Sequence, residues 1–91
     1  MSETIVLAPK LDLAAASDLA AQLRGHTSGD VTLDMSGVKH LGALCLQVLL
    51  SASCSIRENG YSVAISNVSD RVIEQMRLMG LTPEAIARGH S

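Results

Sequence analysis

Phenylalanine and tryptophan are absent from the chain, and Tyr61 is its only aromatic residue. One ring cannot build a stacking platform for nucleic-acid bases. Positive charge is also scarce: seven Lys and Arg stand against nine Asp and Glu, for a net charge of −2. That balance leaves no electrostatic footprint for nucleic acid, and none is expected as a partner. Cysteine occurs only at Cys45 and Cys54, too few for a disulfide scaffold. In one helix, steps of about 100° per residue put these two on opposite faces, so no bridge is expected between them. The longest apolar stretch, residues 41–50, is interrupted by Gln47 and falls short of the roughly 20 residues needed to span a bilayer. No membrane insertion is expected. Met1-Ser2-Glu3-Thr4 lacks the basic start and apolar run of a signal peptide, which points to a reduced, cytoplasmic protein.

What remains is 91 residues, 47% hydrophobic and 18% charged. That composition excludes a disordered chain. No linker, repeat or low-complexity stretch divides it, so residues 1–91 read as a single domain. A chain this short buries only about two-thirds of its unfolded surface, leaving little room for a deep catalytic cavity. The core must be made of Leu, Ala, Val, Ile and Met.

Residues 4–7 are β-branched and apolar and stop near Pro9, a first strand. Asp12 can cap a helix over 13–24, in which Ala16, Leu19, Ala20 and Leu23 recur at helical spacing and Gly25 ends the run. A polar loop follows. Residues 31–33 form a second strand ending at Asp34, and Met35-Ser36-Gly37 turns the chain. From Ala43 to Glu58 the residues favour helix, with Asn59-Gly60 as the stop. Its apolar face of Leu46, Leu49, Leu50 and Ile56 is broadened by Leu44, Val48 and Ala52. A third strand is expected over 61–66. Ser69 or Asp70 caps the next helix, whose Val72, Ile73, Met76 and Met79 mark its apolar side as far as Gly80. Pro83 suits the first position of a last short helix over 83–88. Strand and helix alternate throughout. That order predicts an α/β layer, a small mostly parallel sheet with right-handed crossover helices packed on it, Leu33 and Ile65 buried in its strands.

Candidate chemistry is thin. No Gly-rich phosphate cradle occurs, and no His-x-x-x-His or Cys-x-x-Cys pair. No metal or other cofactor is therefore expected. His26, His40 and His90 sit in loop or terminal positions and read as surface histidines. Asp30 and Asp34 flank the second strand on one side of it; acid–base work is one use, and turn capping is the commoner one. Cys45 falls in the first turn of a helix, whose dipole can activate a thiol. Its neighbours Leu44 and Leu46 favour a buried, inert side chain. Met35, Met76 and Met79 suit core filling. No enzyme is evident. Residues 41–46 are more informative, an apolar loop-to-helix junction with hardly a polar side chain. Such a junction is either covered by the last helix or left as a patch for a partner.

The chain resembles the STAS family, small domains typified by bacterial anti-sigma factor antagonists. The resemblance runs over nearly its whole length. It is carried by Lys10-Leu11-Asp12, by the block Val31-Thr32-Leu33-Asp34-Met35-Ser36-Gly37-Val38, by the leucine-rich residues 41–50, by the strand at 61–66, and by Leu78-Met79-Gly80-Leu81. The resemblance implies a partner with a histidine-kinase-like ATPase domain, either an anti-sigma factor or a chemotaxis-type kinase. Phosphorylatable members carry Asp-Ser-Ser-Gly or Asp-Ser-Thr-Gly at the helix start, where added phosphate breaks the complex. On that pattern Gly42 takes the Asp position, Ala43 the first Ser, Leu44 the phosphoacceptor and Cys45 the Gly. All four depart from it. The resemblance thus implies a divergent member that binds its partner unswitched at the usual residue. The expected contact surface is His40, Leu41, Gly42, Ala43, Leu44 and Cys45 with Gln47, Leu44 and Gln47 reaching outward. A different class also fits the resemblance: a fixed STAS subunit bracing the ATPase of a phospholipid-trafficking ABC transporter. Ser36, the only hydroxyl between Asp34 and Cys45, is expected to bond nearby backbone in its turn rather than accept phosphate.

Overall fold

The computed structural model describes residues 2–25 and 29–89, so His26 and His90 lie outside the described residues. Strands β1 (Ser2–Val6), β3 (Asp30–Asp34) and β5 (Val63–Ser66) form a sheet in the order β1-β3-β5. Both pairings are parallel, with Ile5 opposite Leu33 and Leu33 opposite Ile65. A second parallel ladder joins two short strands, β2 (Lys10–Leu11) and β4 (His40–Leu41). Helices α1 (Ala16–Arg24), α2 (Ala43–Glu58), α3 (Asp70–Leu78) and α4 (Pro83–Arg88) complete the chain. The expected α/β class with a small parallel sheet is what folds.

Period-two alternation explains how the sheet is covered. Ile5, Val31, Leu33 and Val63 point to one face and are buried; Thr4, Val6 and Ala64 point to the other and are exposed. Leu19 and Leu23 from α1, Leu46, Leu49 and Ile56 from α2, Val72 and Met76 from α3 and Ile86 from α4 complete the core with Met35. Without large aromatics, it is built from branched aliphatics and methionine.

Four expectations need correction. Ile65, on the edge strand β5, is only half-buried and packs against the margin of the core. The third strand starts at Val63 rather than Tyr61. Tyr61 is spent on the end of α2, its N–H donating to the Ile56 carbonyl at 3.2 Å, with Gly60 at φ +89° making the left-handed turn that glycine adopts without strain. The helix expected over 13–24 opens as a 3-10 turn (Leu13–Ala15) capped by the Asp12 carboxylate, and becomes α-helical at Ala16. The two-residue ladder of β2 and β4 was not foreseen: two residues show no periodicity.

Candidate partner-binding site

The ladder of β2 and β4 fixes the start of α2. Lys39 and His40 donate their N–H groups to the Pro9 carbonyl at 2.8 and 3.3 Å, and Gly42 donates to the Leu11 carbonyl at 2.8 Å. A Cβ on Gly42 would lie 3.2 Å from that same carbonyl oxygen, so glycine lets the two backbones approach. On the other side, the Gln75 side-chain oxygen of α3 accepts from the Leu41 N–H at 2.7 Å. From beneath, the Cys45 thiol donates to the Asp12 carbonyl at 3.2 Å.

These ties divide the expected surface in two. Leu41 and Cys45 are 2% and 0% exposed and belong to the core. His40, Ala43, Leu44 and Gln47 are exposed and Gly42 is half-buried. Leu44, 48% exposed, is the largest apolar side chain left outside in the first turn. The cover over the buried half is not the last helix. It comes from the Leu11–Asp12 backbone and from Gln75, whereas α4 packs on the far half of α2, where Gly89 sits against Cys54. Helical periodicity hints at Cys45 facing inward; nothing local announces Gln75 or Asp12, whose partners lie 34 and 33 residues away.

No side chain caps α2. Gly42 holds the N-cap position at φ −88° and ψ 164° with no side-chain hydrogen bond, and the first turn carries no acidic residue. The backbone N–H groups of the first turn therefore receive no side-chain acceptor.

Other candidate chemistry resolves into structure. Burial pushes the Cys45 thiol up, with the Asp12 charge adding to it, which disfavours the reactive thiolate. The exposed Cys54 thiol bonds Glu58 at 3.5 Å, and that carboxylate pushes it up as well. Both cysteines are free. Asp30 accepts from the Ser62 N–H at 2.9 Å, Asp34 from the Ser36 N–H at 2.9 Å and from the Asn67 side-chain amide at 3.2 Å. These bonds hold both carboxyls below their ordinary value. Asp34 thus caps its own turn, as expected, whereas Asp30 caps none and ties the start of β3 to the chain leading into β5, 32 residues away. The Ser36 turn runs opposite to expectation: its backbone and hydroxyl bond the Asp34 carboxylate, rather than its hydroxyl bonding backbone. Among the described residues no group of His, Cys, Asp and Glu is placed to hold a metal ion. No helix of the described residues is long and apolar enough to cross a membrane.

A small parallel sheet with helices packed on it is the architecture of a STAS-type domain. The family model described as "Mlab, STAS domain" matches residues 2–85, and the chain belongs to that family. No curated protein matches the chain. Domains of this family are generally non-enzymatic, and the membership suggests a regulatory role of the anti-sigma-factor-antagonist kind.

Proposed function

We propose that the chain is a docking domain that binds a partner carrying a histidine-kinase-like ATPase domain, an anti-sigma factor or chemotaxis-type kinase, through the outward half of the α2 start. The observation that carries this reading is Leu44, an exposed leucine on an uncapped helix N-terminus whose base is pinned by Leu41 and Cys45. His40, Ala43 and Gln47 surround it on the exposed side. Leu41 and Cys45 act from beneath as supports. Phosphate needs a hydroxyl to carry it, and at this place the side chain is aliphatic. Binding is therefore not released by phosphorylation at the helix start.

The test is Leu44→Asp, assayed against a purified histidine-kinase-like ATPase domain recovered with the chain in a pull-down from its source cell. A carboxylate at a helix N-terminus suits the dipole, so stability should change by no more than about 1 kcal/mol. In the complex the same carboxylate is buried unpaired, at a cost of several kcal/mol and a loss of about 100-fold or more in affinity. A folded variant that binds as before moves the interface elsewhere. A second reading draws on the same lost hydroxyl: a STAS subunit that permanently braces a phospholipid transporter's ATPase needs no release switch. Co-purification with a transporter ATPase at fixed stoichiometry, in place of reversible binding to a kinase, would select it.

A further inference from the structure

Charge is unevenly placed. The chain is net negative, yet its only two lysines, Lys10 and Lys39, meet at one end. Pairing of β2 with β4 sets Lys10 beside His40, and the Lys39 backbone N–H donates to the carbonyl of Pro9, the residue before Lys10. Arg71 lies one helical turn before Gln75, on the flank of α3 that reaches Leu41. All four of these side chains are exposed. The acids near them are largely engaged: Asp12 is half-buried, bonds the Ala15 N–H and lies 3.9 Å from Lys10, and Glu74 pairs with Arg77 at 3.2 Å. Asp70 opens α3, on the side of the helix away from Gln75.

Apolar side chains stand among these cations. Five large hydrophobic residues are exposed in the described structure, and three of them belong to this end: Leu13 at 76%, Leu44 at 48% and Leu78 at 81%. Leu13 follows Asp12, whose carbonyl holds Cys45; Leu44 precedes Cys45; Leu78 is one turn beyond Gln75. Resting on the docking reading above, we infer that the partner's contacting element is an acidic, amphipathic protein segment. Its apolar side chains would cover the three leucines while its carboxylates face Lys10, Lys39 and Arg71. Electrostatic complementarity of that kind sets partner choice and association rate. An anionic lipid surface fits less well. It is drawn to clusters of about four to eight Lys and Arg on a juxtamembrane segment or a single amphipathic helix, whereas here three are spread over β2, the loop before β4, and α3.

The test titrates the isotope-labelled chain with two short synthetic peptides that share the same apolar positions, one bearing Glu and the other Lys at the rest. The Glu peptide should shift the amide signals of Lys39, His40 and Leu44 saturably, and its affinity should fall with salt. Lys10→Glu/Lys39→Glu should lower that affinity by about tenfold or more and favour the Lys peptide instead. Lys39→Glu alone, at an exposed position, keeps the test open if the double variant misfolds. Equal shifts with both peptides, no shift, or co-sedimentation with phosphatidylglycerol vesicles would overturn the proposal. If the ATPase domain binds, but indifferently to salt and to the charge reversal, the acidic element is refuted and the docking reading stands. If the Glu peptide binds and the ATPase domain does not, the choice of partner fails and the acidic element stands.

Discussion

The starts of α2 and α3 are built from the same plan and finished differently. Each follows the C-terminal end of a parallel strand, and each first turn rests on buried apolar residues. At α3 the Ser69 hydroxyl accepts from the Val72 N–H at 3.3 Å. At α4 the Thr82 hydroxyl does the same for Ala85 at 3.1 Å, and the Asp12 carboxylate serves the turn that leads into α1. Only α2 among the described helical runs begins without such help. A capping side chain commonly contributes about 1 kcal/mol. Leaving it out at the longest helix, beside an exposed leucine, fits a start reserved for another molecule. The two starts differ in that α3 spends a hydroxyl on its first turn and α2 does not.

The comparison breaks most visibly across the two sides of the α2 start itself. Cys45→Asp should destabilise the chain by about 3–5 kcal/mol in urea denaturation, because it buries an unpaired charge where the thiol now bonds the Asp12 carbonyl. Its neighbour Leu44→Asp, one residue away, should stay within about 1 kcal/mol. Equal losses at the two positions would mean that the start is not divided into a buried and a free side.

Much of this was legible in the sequence, for reasons that differ by element. Alternation gave the sheet, and Leu19, Leu23, Leu46, Leu49 and Val72 all face inward as their spacing predicts. Asp12 and Ser69 cap as their residue types suggest. The ladder of β2 and β4, by contrast, depends on Pro9 meeting Lys39, a pairing that no local pattern encodes. For the same reason the sequence leaves open whether the last helix or a partner covers this junction, and does not show that Gln75 and the Asp12 backbone hold Leu41 and Cys45. The exposure of Leu44 follows from these covers, since they leave only one side of the first turn unclaimed.

A smaller effect sharpens the contrast between the two helix starts. Ser69→Ala should cost about 1 kcal/mol and leave partner affinity unchanged. At α2 the order of substitutions matters more than their size. Gly42→Ala brings a Cβ to 3.2 Å from the Leu11 carbonyl oxygen and offers no cap, so it should destabilise. Gly42→Ser meets the same crowding but supplies a hydroxyl, and should be more stable than Gly42→Ala by about 1 kcal/mol. If the docking reading holds, that hydroxyl also competes with the partner for the first-turn N–H groups, so Gly42→Ser binds more weakly than its stability suggests. Thermal melts and affinities on the three variants give both orders.

The smallest effect lies where the two starts are tied together. The Asp34 carboxylate bonds the Ser36 N–H in the chain leading to α2 and the Asn67 amide in the loop leading to α3. These bonds favour its ionised form and hold its pKa below the ordinary 3.8. A group whose pKa is lower folded than unfolded adds stability above the unfolded value, and loses it as pH falls through the folded one. The advantage of the wild-type chain over Asp34→Asn should therefore be full near neutrality and shrink between about pH 5 and about pH 2. Solvent reaches this carboxylate, so the difference is small and is best read as a trend across pH rather than at one point. Asp30 is lowered too, by the Ser62 N–H, but it titrates in both proteins and cancels in the comparison. A stability difference that stays constant over the acid range would mean that the carboxylate's charge does not hold the two starts together.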